Sequence, residues 1–269
     1  MRINFTKMHG LGNDFIVLDA REEDLPDLGA ETIRALSDRT RGIGCDQFIV
    51  LEPDPDASVR MRIYNADGGE VEACGNAARA IGLMLGKPAT IATGGGLIST
   101  TPAENGIAVD MGEPRFGWEA IPLAYAVDTD AMPVGWDMLE QPSAVNVGNP
   151  HAIFFVPDCD AVPLDELGPQ IEHDPLFPQR VNVNVATVVD RKTLRLRVWE
   201  RGVGLTRACG TGACATAVAA MRRGLVDREV SVELPGGPLS IAWHQDNRII
   251  MTGPATQAFR GSFELDDYT

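Results

Sequence analysis

The chain has 269 residues, 44% of them hydrophobic and 23% charged, and Lys plus Arg number 23 against Asp plus Glu 38, for a net charge of −15. That balance suits a globular protein of one large or two medium domains, and it argues against nucleic acid and anionic membrane as general partners. The start, Met1-Arg2-Ile3-Asn4-Phe5, lacks the apolar core of a signal peptide, and no apolar run approaches the ~18 residues of a membrane span. The five cysteines, at 45, 74, 159, 209 and 214, have no short-spaced framework and fit reduced thiols in a cytoplasm. No CxxC and no Cys/His cluster with zinc spacing is present, and the histidines at 9, 151, 173 and 244 are scattered, so no metal site is expected.

In chain order, residues 3–8 alternate loosely as a first strand, and His9-Gly10-Leu11-Gly12-Asn13-Asp14 is a glycine-bearing turn into a second strand, Phe15 to Asp19. Asn13 has an ordinary reading as a turn residue that tolerates the left-handed region. Helical spacing runs from Glu31 to Arg39, with Ile33 and Leu36 on the apolar side. Gly42 to Gln47 leads into the strand Phe48 to Leu51, with Gln47 where loop becomes strand. Val59 to Tyr64 alternates with Arg60 and Arg62 on one face. After the turn at Asn65 to Gly69, Cys74 opens a compact apolar helix that Gly86-Lys87-Pro88 stops. Strands at 90–93 and 106–111 follow, with Gly94-Gly95-Gly96 between, and Met111-Gly112-Glu113-Pro114 reads as the end of a first domain.

Residues 115–142 are proline-rich and read as strand fragments entering a second domain. Ala144 to Val147 is a strand, Gly148-Asn149-Pro150-His151 a turn, and Ala152 to Val156 a strongly apolar strand. Strands are also expected from Asn182, near Val198, and over 230–234, 239–243 and 248–251. Between them Cys209 precedes a small-residue helix that ends at Met221-Arg222-Arg223-Gly224. Residues 255–269 are left over and read as a last strand crossing back to the first domain.

The second half repeats the first at a shift of 135. Arg60, Arg62, Gly69, Ala73, Cys74, Gly75, Ala78 and Ala80 recur as Arg195, Arg197, Gly204, Ala208, Cys209, Gly210, Ala213 and Ala215. Gln47 and Asn182 keep the same shift, and Gly12-Asn13 and Gly148-Asn149 differ by 136. A repeat of half the chain is too long for a solenoid. It predicts two related domains, 1–114 plus about 256–269 and 115–255, with a site in the cleft between them. Each domain offers one cysteine at a helix start, where unpaired N–H groups and the helix dipole bias a thiol toward thiolate and can hold a carboxylate.

Three readings of the pair compete. Buried cysteines at helix starts can behave as small hydrophobes. A Cys74–Cys209 disulfide could lock the domains if the Cα atoms come within about 7 Å. In the third, one thiolate takes a proton from one face of a carbon while one thiol gives a proton to the other, and the N–H groups hold the carboxylate on that carbon. The third fits best physically, since inverting a stereocentre needs a base and an acid on opposite faces. The two thiols must then titrate differently, as a coupled pair. A phosphate-loop thiolate is disfavoured, because Cys74 to Arg79 is one residue short of the needed spacing and Cys209 has no arginine before Arg222. No GxGxxG after a first strand and no P-loop lysine supports a nucleotide fold.

At these residues the chain resembles diaminopimelate epimerase. The matching pieces are MHGLGNDF (8–15), GCDQ (44–47), YNADGGEVEACGNAAR (64–79), VGNPHA (147–152), VNVN (181–184), ERG (200–202) and ACGTGACA (208–215). The resemblance implies an α+β fold of two pseudo-symmetric domains, each a curved mixed β-sheet wrapped around a central helix. It implies cofactor-independent interconversion of L,L- and meso-diaminopimelate for lysine and peptidoglycan synthesis. Carried over residue by residue, Cys74 and Cys209 are the catalytic pair, the first described as donor and the second as acceptor for the L,L substrate, with roles reversing in the other direction. Gly75, Asn76, Gly210 and Thr211 would hold the reacting carboxylate. Asn13, Gln47, Asn65, Asn149, Asn182, Glu200 and Arg201 would bind the rest of the substrate, with Arg201 on the distal carboxylate. His151 and Glu200 would tune the thiols. Ala77, Ala80 and Leu205 depart from residues frequent in the family, at positions without a carried-over role. Members are often dimers through the C-terminal region, with an aromatic that corresponds here to Phe259. Two rivals remain: proline racemase-like enzymes, which use two cysteines on a cyclic amino acid and should not need Arg201, and a non-catalytic binder of a dicarboxylic amino acid, which would not need two thiols.

Overall fold

Helix α2, Gly75–Leu85, and helix α4, Gly210–Arg222, have small side chains on nearly every face. Such helices can be enclosed on all sides, and both are: Asn76 through Gly82 and Gly212 through Met221 are buried. In the computed structural model, which describes residues 1–22, 25–26, 28–72 and 74–268, the chain divides into two units. The first comprises Met1–Val109 and Gly253–Thr269, the second Asp110–Thr252.

The first unit holds a mixed sheet. In spatial order its strands are Thr256–Glu264, Arg2–Gly10, Asn13–Asp19, Gln47–Glu52, Val59–Asn65, Ala89–Thr93 and Gly96–Ala103. Its two parallel pairs, Asn13–Asp19 with Gln47–Glu52 and Val59–Asn65 with Ala89–Thr93, each need a crossover. Helix α1, Ala30–Ser37, lies in the first and α2 in the second. Helix α2 touches Thr256–Glu264 and Arg2–Gly10 at one end of the sheet and Gly96–Ala103 at the other, so the sheet curves around it. The approach is close: a Cβ on Gly82 would stand 2.8 Å from Ile107 Cγ2. Outside the sheet, Ile33 and Leu36 of α1 pack with Ile16, Leu18, Phe48 and Phe263.

The second unit repeats that plan. The strands Ser143–Asn146, Pro150–Phe155, Asn182–Asp190, Thr193–Glu200, Glu229–Leu234 and Gly237–Trp243 pair antiparallel, parallel, antiparallel, parallel and antiparallel, the order seen from Arg2–Gly10 onward in the first unit. Helices α3, Leu164–Glu172, and α4 are the two crossovers. Helix α4 touches Ser143–Asn146 and Gly237–Trp243, so this sheet is also curved about its helix. Leu164, Leu167 and Ile171 of α3 pack on Phe154, Val183 and Val185. The fold is the expected α+β pair of pseudo-symmetric sheets, each around one helix.

Two elements were not foreseen. Helix α3 contains Gly168 and Pro169, which read as breakers. Gly168 is there for contact, since a Cβ would stand 2.5 Å from Trp199 Cγ. The strand Gly96–Ala103 is mostly exposed and carries Pro102, so its alternation is weak. The stretch 115–142 is largely turns. It forms one bridge, Arg115 with Asn146, and one short hairpin, Gly135–Trp136 with Leu139–Glu140.

Candidate active site

Both cysteines cap their helices. Cys74 is the N-cap of α2, with extended backbone, and its sulfur accepts from Ala77 N at 3.5 Å. Cys209 is the N-cap of α4 and accepts from Gly212 N at 3.4 Å. Gly75 and Asn76, and Gly210 and Thr211, are therefore the first two residues of a helix. Their N–H groups lie in the turn that lacks intrahelical acceptors.

In the first unit the strand register gathers the amides. Phe15 stands beside Gln47, and Gln47 opposite Asn65, so these positions line one end of three adjacent strands. Gly12, at φ +92°, turns the chain into Asn13. Gln47 Nε2 donates to Asn65 Oδ1 at 3.3 Å, while Gln47 Oε1 is buried without a hydrogen-bond partner. Asn13 links to the cysteine. Its Oδ1 accepts from Asn76 Nδ2 at 3.1 Å and from the Cys74 thiol at 3.9 Å. The orientation is fixed at both ends. Arg79, fully buried and a donor only, gives Nη2–H to Asn76 Oδ1 at 2.9 Å, so Asn76 turns its NH2 to Asn13. At the other end Asn13 Nδ2 donates to the Asp46 carboxylate at 3.1 Å. Asp46 and Asp14 both accept from Arg39 at 2.6 Å, and Asp14 also pairs with Lys7 at 2.6 Å. Burial pushes the Asp14 carboxyl upward, but Arg39 and Lys7 outweigh it and bring its pKa down to about 2.

The second unit has the same skeleton and different polar groups. His151 stands beside Asn182, and Val183 opposite Trp199, which brings Glu200 to the same end of the sheet. Asn149 takes the place of Asn13 and donates from Nδ2 to Thr211 Oγ1 at 3.3 Å; Thr211 in turn lies 3.5 Å from the Cys209 sulfur. His151 is fully buried between Asn149 Oδ1 at 3.0 Å and Asn184 Oδ1 at 3.2 Å. Burial, opposed by the Asn184 bond and reinforced by the charge of Arg201, lowers its pKa to about 4, so the ring is neutral at pH 7. It reaches Cys209 through Asn149 and Thr211. Asn182 is held by Pro150 O, to which its Nδ2 donates at 2.9 Å, and by Arg201 N–H, which donates to its Oδ1 at 2.9 Å. The Arg201 guanidinium is exposed and donates to Gln179 O at 3.0 Å. Glu200 accepts from Thr206 Oγ1 at 2.5 Å.

The thiolate bias expected at a helix start is reversed at Cys209. The side chain is buried, and burial followed by the Glu200 carboxylate raises its pKa well above the ordinary thiol value; the Thr211 hydroxyl and Gly212 N–H oppose this without overcoming it. Cys209 is a thiol at neutral pH. The cysteines at 45, 159 and 214 are buried, and Cys45 and Cys159 are also shifted upward, first by burial. None of the five cysteines is in a disulfide. Asp158, Cys159 and Asp160 come within 4.8 Å of one another, but Arg195 already answers the carboxylates, at 3.8 and 2.8 Å.

Several participants were missed in the sequence. Arg79, Asp46 and Asn184 sit inside the matching motif pieces, so a signal existed. Arg39 and Lys7 carried none.

The diaminopimelate epimerase family model matches residues 5–117 and 143–258. The chain belongs to the diaminopimelate epimerase family. The diaminopimelate epimerase of Erythrobacter litoralis is 66% identical over 269 residues, covering 100% of both chains. Among solved structures, a phenazine biosynthesis protein of the PhzF family from Enterococcus faecalis superposes with a TM-score of 0.72 at 16% identity, over 98% of this chain and 100% of that one. A hydroxyproline epimerase from Agrobacterium vitis gives 0.68 at 14%, over 98% and 93%. These two likenesses are of fold. Set against the family's two-cysteine motifs, the two units show which places are shared and which are specialised. Asn13 and Asn149, Gln47 and Asn182, Cys74 and Cys209 are equivalent positions, whereas Phe15, Asn65 and Arg79 of the first unit correspond in sequence to His151, Glu200 and Cys214 of the second.

Proposed function

We propose that this chain is a diaminopimelate epimerase, an isomerase that interconverts L,L- and meso-diaminopimelate by moving one α-proton without a cofactor. The observation that carries the reading is the pair of cysteine N-caps, the first bonded to Asn13 and the second linked through Thr211 to Asn149, in a chain of this family. Cys74 and Cys209 act on opposite faces of the α-carbon, one as base and one as acid. The N–H groups of Gly75, Asn76, Gly210 and Thr211 hold the α-carboxylate and stabilise charge that develops on it in the transition state. Gln47 Oε1, buried and without a partner, is an acceptor for a substrate ammonium. Asn13, Asn65, Asn149 and Asn182 supply donors and acceptors suited to a zwitterion. Arg201 takes the distal carboxylate.

The state of Cys209 gives Glu200 a second task. Its carboxylate adds to burial in holding the neighbouring thiol protonated. A substrate ammonium placed against Glu200 offsets that repulsion and so eases deprotonation of Cys209 when substrate is bound. His151, neutral, has one N–H to give; carried on Nε2 it donates to Asn149 Oδ1 and so orients Asn149 and through it Thr211. The same reading places the enzyme in the cytoplasm and makes it a homodimer through the C-terminal strand, where Phe259 is exposed.

The test is incubation of the reduced protein with L,L-diaminopimelate in D2O, following the α-proton by NMR and the product by chiral separation. Deuterium should enter as the meso isomer appears. Folded protein that exchanges proline or hydroxyproline instead would move the assignment to the cyclic amino acids, and binding without exchange would leave a binding protein.

A further inference from the structure

Glu172 is out of place by two ordinary criteria. It is the last residue of α3, where the helix dipole disfavours a carboxylate. It is also 2% exposed, with one long ion pair, to the half-exposed Arg180 at 3.7 Å. Two donors offset the cost. Trp199 Nε1–H donates to Glu172 Oε2 at 2.7 Å, and Gly202 N–H donates to Oε1 at 2.9 Å. These donors flank Glu200 and Arg201, the residues at the turn that follows the strand Thr193–Glu200. One carboxylate thus spans the turn from the residue before the pair to the residue after it.

The rest of the packing serves the same clamp. One helical turn before Glu172, the bare face of Gly168 lies against the Trp199 ring. Within the turn Val203 N–H donates to Glu200 O at 3.0 Å, and Arg201 N–H is held by Asn182. We propose that Glu172 is a positioning residue for Arg201, fixing the turn so that the guanidinium meets the distal carboxylate of the substrate. This rests on the reading of Arg201 as the distal-carboxylate site. Both carboxylate oxygens are used as acceptors, so an amide cannot replace the acid: glutamine would turn an NH2 toward one of the two N–H donors.

The experiment is a double-mutant cycle on KM and kcat for diaminopimelate, with folding checked by circular dichroism and thermal melting. Glu172→Gln is expected to raise KM roughly tenfold or more, as for loss of a charged hydrogen bond, with a smaller change in kcat. Arg201→Ala is expected to raise KM by itself, and Glu172→Gln added to it should change KM no further. Trp199→Phe, which removes one donor and keeps Gly202, should raise KM less. In Glu172→Gln/Trp199→Phe the single remaining donor can meet the amide oxygen, so KM should recover relative to Glu172→Gln. If Glu172→Gln leaves KM unchanged, or multiplies the KM of Arg201→Ala, the proposal is overturned while Arg201 stands. If Arg201→Ala leaves KM unchanged, both fail, and the fault lies in the reading of Arg201. Should Glu172→Gln not fold, the Trp199→Phe and Arg201→Ala arms decide alone: a KM rise that vanishes without Arg201 supports the clamp, and additivity overturns it.

Discussion

Cys209 shows that a helix start does not by itself make a thiolate. The N–H group of Gly212 favours the anion, but full burial and a neighbouring carboxylate weigh more. The consequence can be measured. In substrate-free protein, alkylation of Cys209 by iodoacetamide at pH 7 should be slower than that of an ordinary thiol by about tenfold or more, and should rise with pH beyond the usual thiol range of about 8.5. Burial alone would slow access, so the separating variant is Glu200→Gln. Removing the negative charge lowers the pKa and should speed alkylation at pH 7 by at least about threefold, with burial unchanged. Peptide mass spectrometry reads the rates; identical rates in wild type and Glu200→Gln would remove the carboxylate from the account. Residue types at the site were legible from the paired motifs. The sign at Cys209 was not, because it depends on which group the fold buries beside the sulfur, and Glu200 lies nine residues away in sequence.

At the scale of elements, the cysteines are helix caps and, in the proposed mechanism, the reacting groups, and the two roles can be parted. Serine is a good N-cap, whereas alanine offers no acceptor. Cys74→Ser and Cys209→Ser should therefore keep wild-type melting behaviour and lose exchange by about 10²-fold or more, since the hydroxyl is a far weaker acid and base at this pH. The alanine variants should lose as much activity and, in addition, about 1 kcal/mol of stability. Equal turnover in either serine variant would end the two-thiol mechanism. Much at this scale could be read in advance: glycine turns before Asn13 and Asn149, cysteines before alanine-rich runs, and apolar strands between them. Helix α3 could not, because Gly168-Pro169 looks like an interruption when the partner ring of Trp199 is thirty residues away. Glu172 was invisible for the same reason. Its meaning comes from a tertiary contact with a turn, and an isolated glutamate before His173 reads as surface.

At the scale of the molecule, an internal duplication gives two sheets of one topology, and specialisation of the site lies at equivalent positions where the copies differ, such as Phe15 against His151. Charge is the other global property. The chain carries −15, yet its substrate class has two carboxylates and two ammonium groups and is neutral overall. The long-range field therefore neither attracts nor repels diaminopimelate, while it repels a dicarboxylate that lacks the ammonium groups. The screening length falls from about 30 Å at 0.01 M salt to about 8 Å at 0.15 M. Contacts within the site, such as the proposed one between the distal carboxylate and Arg201, are shorter than either length and are less screened. Repulsion from charges spread over the surface is strongly screened. KM for diaminopimelate should thus change by less than about twofold across that range, and inhibition by pimelate should strengthen as salt rises. Initial rates at the two ionic strengths, with and without pimelate, test both. Pimelate inhibition that weakens with salt would mean that the local positive potential of Arg201 and the helix starts extends well beyond the site, and that the acidic surface plays no part in choosing the substrate.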